Sequence, residues 1–148
     1  MNIIQQLLFR SFPSDMFSKK YPVSVKGVVL INNKIVLLKN ERGEWELPGG
    51  KLETTESAEQ CAIREIKEEL NIDAQVASLV DVWMYNIQNR VKVLIVTYVC
   101  RPIVMDEQKL RISSEHKELK LFLPEEITNL NMPEGYKNSI TKALKIIE

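Results

Sequence analysis

The sequence predicts a single α/β domain (α+β by some schemes), and three observations carry that prediction. Two β-branched, apolar runs flank Asn32-Asn33, residues 57–70 repeat at helical spacing, and two more strand-like runs follow before a helical tail. Strands mixed with two or three helices bury their apolar faces as a sandwich around one core. A chain of 148 residues suits one such domain and buries about two-thirds of the surface its unfolded form exposes.

Composition narrows the partners. Lys plus Arg and Asp plus Glu each number 20, so no global field draws the chain to a nucleic acid polymer or an anionic membrane. A polyanion would have to be gripped locally. Cys61 and Cys100 match no metal or redox spacing and read as small buried hydrophobes in a reducing compartment. The opening MNIIQQLLFRSFP lacks a basic n-region and a small-residue cleavage site, and no run approaches the ~20 apolar residues of a membrane span. The expectation is a cytoplasmic protein.

Taken in order, residues 1–21 form an N-terminal extension: a short amphipathic helix over 2–10, then an irregular basic stretch. Ile3, Ile4, Leu7 and Leu8 there suggest a lid, a core contact or a homodimer contact. The main domain occupies 22–148. VSVKGVVLI (23–31) and KIVLLK (34–39) make a hairpin, because Asn32-Asn33 is a two-residue turn that tolerates positive φ. NERGE is a polar loop, and WELP (45–48) a short strand that ends at Gly49-Gly50. A helix starts near Ser57, where Ser57 and Gln60 have capping-box spacing, and runs to Leu70. Strands at 74–86 and 90–101 are joined by 87–89, and 102–114 reads as a charged loop. ELKLFL (118–123) is a strand, and PEEI (124–127) opens a helical turn with proline at its first position. Ile140, Leu144 and Ile147 mark a last helix that packs on the sheet.

The helix at 57–70 does not read as a solvated surface. Positions 58, 62, 65 and 69 form one stripe, and its occupants are Ala58, Ala62, Glu65 and Glu69. Glu65, Glu68 and Glu69 share a face, where like charges cost a few tenths of a kcal/mol per pair. Three carboxylates beside a core need neutralising by protonation, by Arg64, or by divalent cations, for which carboxylate oxygens suit Mg²⁺ or Mn²⁺. An acidic helix with a few salt bridges is the plainer alternative. Against it stands the preceding Pro48-Gly49-Gly50-Lys51, where glycines admit close approach of a ligand and Lys51 brings a cation toward phosphate.

These residues resemble the Nudix hydrolase family, whose box reads G-x5-E-x7-R-E-(apolar)-x-E-E-x-G-(apolar). Gly50, Glu56, Arg64-Glu65-Ile66 and Glu68-Glu69 fall on the pattern, Ile72 closes it, and WELPGGKLE resembles the family's usual entry to the box. Asn71 stands in place of the last glycine, at the residue after the helix where asparagine is the next choice for a left-handed conformation. Thr55 stands where many members have glycine. The resemblance implies a Nudix-type α/β/α sandwich with a mixed β-sheet. It implies Glu65, Glu68, Glu69 and the Gly49 carbonyl as ligands of Mg²⁺ (or Mn²⁺), and Arg64 pairing with Glu56 or Glu68 to orient the carboxylates. Gly50, Lys51 and Glu53 would meet the phosphate end. The water-activating base varies in the family: Glu65, Glu68 or a downstream loop glutamate, here Glu115 ahead of Glu118.

Three further residues carry weaker signals. His116, the only histidine, reads as a loop residue or a hydrogen-bond donor behind the site. Trp45 reads as packing. Trp83 and Tyr85 share one sheet face and are candidates to stack on a nucleobase or to pack.

The implied function is divalent-metal-dependent hydrolysis of a pyrophosphate bond in a nucleoside diphosphate derivative (nucleotide, nucleotide sugar or (d)NTP). The first proline after the box is Pro102, so the proline signature of ADP-ribose-cleaving members is missing. Two other classes share the fold. A non-catalytic nucleotide-binding sensor or partner domain usually loses box glutamates, and all are kept here. An isopentenyl diphosphate isomerase needs an upstream cysteine and a histidine-rich site, and the chain has neither.

Overall fold

A computed structural model describes residues 2–4 and 18–148. From residue 5 on, the helix expected over 2–10 falls outside them, Leu7 and Leu8 included. In chain order the elements are β1 (Val23–Ile31), β2 (Lys34–Lys39), β3 (Trp45–Glu46), β4 (Gly49–Lys51), α1 (Ala58–Leu70), β5 (Ala74–Ile87) and β6 (Val91–Pro102). A 3₁₀ turn at Glu107–Lys109, β7 (Glu118–Phe122), a 3₁₀ helix at Pro124–Asn129 and α2 (Glu134–Ile147) complete the chain.

The seven strands form one mixed sheet in the order β3-β2-β1-β6-β5, with β4 added to β1 and β7 to β2. Only β1 and β6 run parallel; the other pairs are antiparallel. Asn32 and Asn33 take φ of 51° and 63°, the left-handed pair a tight hairpin requires. On one edge β1 changes partner along its length: Ser24–Lys26 pair with β4, whereas Leu30 and Ile31 pair with β2. The sheet opens at that handover, and the cleft described below sits there.

Side chains alternate across β1, so one strand feeds two cores. Val25, Val29 and Ile31 pack with Cys61, Ala62, Ile66 and Leu70 of α1. Val28 packs on the opposite face with Ile95, Tyr136, Ile140 and Ala143, under α2. This is the α/β/α sandwich, and Ile140 and Leu144 meet the sheet as their spacing foretold. No described helix is long and apolar enough to cross a membrane.

Local chemistry explains most boundaries. Ser57 accepts from the Gln60 N–H at 3.1 Å and the Gln60 side chain accepts from the Ser57 N–H at 2.9 Å, a complete capping box. Asn71 ends α1 at φ 59°, ψ 34°. Two expectations shift. The β5–β6 turn falls one residue later, at 88–90, with Gln88 and Asn89 at positive φ. The strand read over 45–48 ends at Glu46, and Gly49-Gly50 belong to a strand of their own, β4, instead of to a loop. The pairing of Gly49 and Gly50 with Lys26 and Val25 draws them into the sheet. Both cysteines are free and buried.

Candidate active site

The glycines of β4 work by letting α1 and β1 come close. A Cβ on Gly49 would lie 2.0 Å from the Val25 carbonyl oxygen, and its φ of 143° is one that only glycine takes without strain. A Cβ on Gly50 would lie 2.5 Å from Glu65 Oε1. The Glu65 carboxylate thus fills the space a side chain at position 50 would take. One turn further along α1, Glu69 accepts the Gly49 N–H at 2.9 Å and is 4% exposed. Burial pushes the Glu69 pKa up to about 7 and also raises that of Glu65.

Arg64 organises the other flank. Its Nη2 and Nε bind Glu56 as a two-pronged fork at 2.7 and 2.9 Å, and its Nη1 reaches Glu65 at 2.9 Å and Glu68 at 3.2 Å. The two partners that the sequence left as alternatives, Glu56 and Glu68, are both engaged. The guanidinium beside it holds the Glu56 carboxyl down at about 2. Glu68 is more than half exposed, and Glu53 lies at the edge of the Arg64 network, 3.9 Å from Nη2.

Three residues that the sequence reading gave no such part surround the site from other elements. Lys26, a lone charge within the apolar β1 run, is 6% exposed, and its ammonium donates to the Gly49 carbonyl at 3.3 Å. Burial alone would lower its pKa; Tyr136, Glu46, Glu69 and Glu65 around it outweigh that and raise it above the ordinary lysine value. Glu46 of β3 binds His116 Nε2 at 3.1 Å, with both side chains largely buried. Arg42 pairs with Glu44 at 2.7 Å on the rim. The signal for Lys26 and Glu46 was their place in otherwise buried strands, since a buried charge needs a partner. Sequence alone did not say which one.

A cleft of about 450 Å³ gathers these groups: Glu46, Gly49, Gly50, Lys51, Glu65 and Glu69 meet Glu115 and His116 from the loop before β7, with Asn40–Arg42 on one side. Glu115 is exposed into it and makes no hydrogen bond or ion pair among the described residues. Glu118 lies instead on β7, 3.7 Å from Lys39. Trp83 packs under α2, against Gly135 and the Tyr136 ring at 5.2 Å, away from the carboxylates. Tyr85 lines a second cleft of about 480 Å³ with Asn86, Gln88, Asn131 and Pro133, and Arg42 borders both clefts. Trp45 is buried edge-on to Phe122 at 4.8 Å.

The donors fit a hard divalent cation. The Glu65 carboxylate lies against Gly50 and the Glu69 carboxylate on the Gly49 N–H, while the Gly49 carbonyl oxygen accepts from Lys26; carboxylate and carbonyl oxygens are the donors such a cation takes. Against Glu46, Glu56, Glu65, Glu68 and Glu69 stand Lys26, Arg64 and Lys51, so the acidic groups outnumber the cations beside them. Among the described residues, no three carboxylate, histidine or cysteine side chains already converge as a cage, because Arg64 holds Glu65 and Glu68 while Gly49 holds Glu69.

Known proteins resemble this chain. A family model described as the NUDIX domain matches residues 20–143. A "MutT-like protein" of Streptomyces ambofaciens is 31% identical over 141 residues, 93% of this chain and 87% of that one. An "8-oxo-dGTP diphosphatase" of Proteus vulgaris is 44% identical over 48 residues, 32% of this chain and 43% of that one. Among solved structures, a NUDIX hydrolase from Nitrosomonas europaea superposes with a TM-score of 0.73 at 21% identity, covering 85% of this chain and 90% of the other.

Proposed function

Given that this chain belongs to the Nudix family, we propose that it hydrolyses a pyrophosphate bond in a nucleoside diphosphate derivative (a nucleotide, a nucleotide sugar or a (d)NTP) with Mg²⁺, or Mn²⁺ in its place. The supporting observation is the backing of Glu65 and Glu69 against Gly49-Gly50 in a cleft that Lys51 and Glu115 also enter. A divalent cation held by Glu65, Glu68, Glu69 and the Gly49 carbonyl would neutralise phosphate charge and acidify the attacking water.

The chain's own residues take the remaining tasks. Arg64 fixes the carboxylates through its fork on Glu56. Gly50 keeps the Glu65 carboxylate close to the backbone at the phosphate end, and Lys51, with Glu53 beyond it, faces the outer end of the phosphates. Glu115 accepts the proton of the attacking water. Tyr85 borders the nucleoside in the neighbouring cleft, with Trp83 behind it at 5.2 Å ring to ring. The MutT-like and 8-oxo-dGTP-cleaving relatives favour testing (d)NTPs alongside nucleotide sugars.

The test is turnover on a panel of nucleotide pyrophosphates with Mg²⁺, scoring phosphate, pyrophosphate and monophosphate released. Glu69→Gln, which keeps an acceptor for the Gly49 N–H, should lower turnover about 10²-fold or more. Binding without products across the panel, or full turnover by Glu69→Gln, would overturn the proposal.

A further inference from the structure

The stretch 109–117 of the loop between β6 and β7 is pinned at both ends by bonds that the metal-ligand stripe does not use. At the first end, the Arg111 N–H donates to the Leu70 carbonyl at 3.1 Å, and the Asn71 amide donates to the Lys109 carbonyl at 3.1 Å. At the far end, the Lys117 N–H donates to the Lys39 carbonyl at 3.1 Å, and His116 Nε2 meets Glu46 at 3.1 Å. Between these ends Glu115 reaches the cleft with no partner among the described residues.

His116 is a costly way to fill that space. Its ring is largely buried, and Nδ1 is buried with no hydrogen-bond partner. An apolar side chain would pack there without an unpartnered ring nitrogen such as Nδ1. What an apolar side chain cannot do is bond Glu46, which sits on the short strand leading directly into the glycine pair. The pair therefore ties the residue next to Glu115 to β3, the strand just before the one that carries Gly50 and Lys51.

We propose that His116, seated on Glu46, is a positioning residue that holds Glu115 where it can take the proton of the attacking water. The inference rests on the hydrolase reading above. In the step served, the water oxygen bonds to phosphorus and its proton passes to Glu115. The bond from phosphorus to the bridging oxygen breaks, and the electron pair leaves with the departing phosphate. His116 touches neither water nor phosphate, and acts only through the placing of its neighbour.

Four variants test this in the full chain: Glu115→Gln, His116→Ala, His116→Gln and the double variant Glu115→Gln/His116→Ala. His116→Ala should lower kcat about 10- to 100-fold, as expected when a reacting group is misplaced, with KM changed less than about twofold. His116→Gln, whose amide can still donate to Glu46, should recover most of the loss. The double variant should be no slower than Glu115→Gln alone, because positioning is worthless without the group positioned. Amide hydrogen exchange over 113–117 should speed up in His116→Ala and not in His116→Gln, a readout that needs no turnover. Additive losses, no rescue by glutamine, or unchanged exchange in His116→Ala would overturn the proposal. Wild-type turnover by Glu115→Gln would overturn it too. That last result, obtained while Glu69→Gln is inactive, leaves the hydrolase reading standing.

Discussion

The Gly49 N–H donates to the buried Glu69 carboxylate at 2.9 Å, joining residues 20 positions apart. The carbonyl of the same residue accepts from the Lys26 ammonium at 3.3 Å. One glycine therefore connects the acid of α1 to the base of β1, and the carboxylate stripe is set against the sheet through backbone rather than side chain.

The two glycines should fail differently when substituted. Gly49→Ala meets the Val25 carbonyl at 2.0 Å with φ at 143°, so it should cost about 3 kcal/mol or more of stability in urea unfolding. Gly50→Ala meets only the end of the Glu65 side chain, at 2.5 Å. It should fold with a loss nearer 1 kcal/mol. Its Mg²⁺ affinity by calorimetry should drop while the unfolding transition stays cooperative.

Arg64→Lys should behave as a severe change despite keeping its charge. The fork on Glu56 at 2.7 and 2.9 Å, with Glu65 and Glu68 on the remaining nitrogen, needs a planar guanidinium. Turnover should fall about 10-fold or more with little change in melting temperature, since outer partners of a metal site typically carry 10- to 100-fold effects.

Acid should loosen α2 from the sheet through Asp81. Burial works to raise the Asp81 pKa, but hydrogen bonds from Lys142 at 2.9 Å and Ser139 at 2.9 Å outweigh it and hold it below the ordinary 3.8. A carboxylate with a depressed pKa in the fold stabilises above the unfolded chain's value, and that stability is lost as pH falls through the folded value. Wild type should exceed Asp81→Asn by about 1 kcal/mol at neutral pH. The difference should vanish below the folded pKa, as read by denaturant unfolding across pH.

Both thiols should be silent in the native protein. Burial pushes Cys61 and Cys100 up to about 12, and neither is exposed. Alkylating reagent at pH 8 should modify neither cysteine within the time that fully labels the unfolded chain, as mass spectrometry would show.

Asn71 shows how far a local reading reaches. Its role as the left-handed residue after α1 follows from position alone, and the structure has it at φ 59°. Its amide on the Lys109 carbonyl joins residues 38 apart, and no local pattern announces that bond. Trp83 is the converse. Its face of β5 was legible from alternation, but its packing against Gly135 and Tyr136 depended on where α2 came to rest.

By itself the sequence determined the longer elements and the spacing of the carboxylates. Helical period, a capping box, turn asparagines and paired glycines act over a few residues, so they are written where they work. The tertiary structure alone decided that Lys26, Glu46 and His116 would join Glu69. These four come from β1, β3, a loop and α1, and meet where β1 exchanges one partner for another. Burial made their pairing compulsory, because a charge taken out of water must find an opposite charge or a hydrogen bond. Which charges are buried together is fixed only when the strands close.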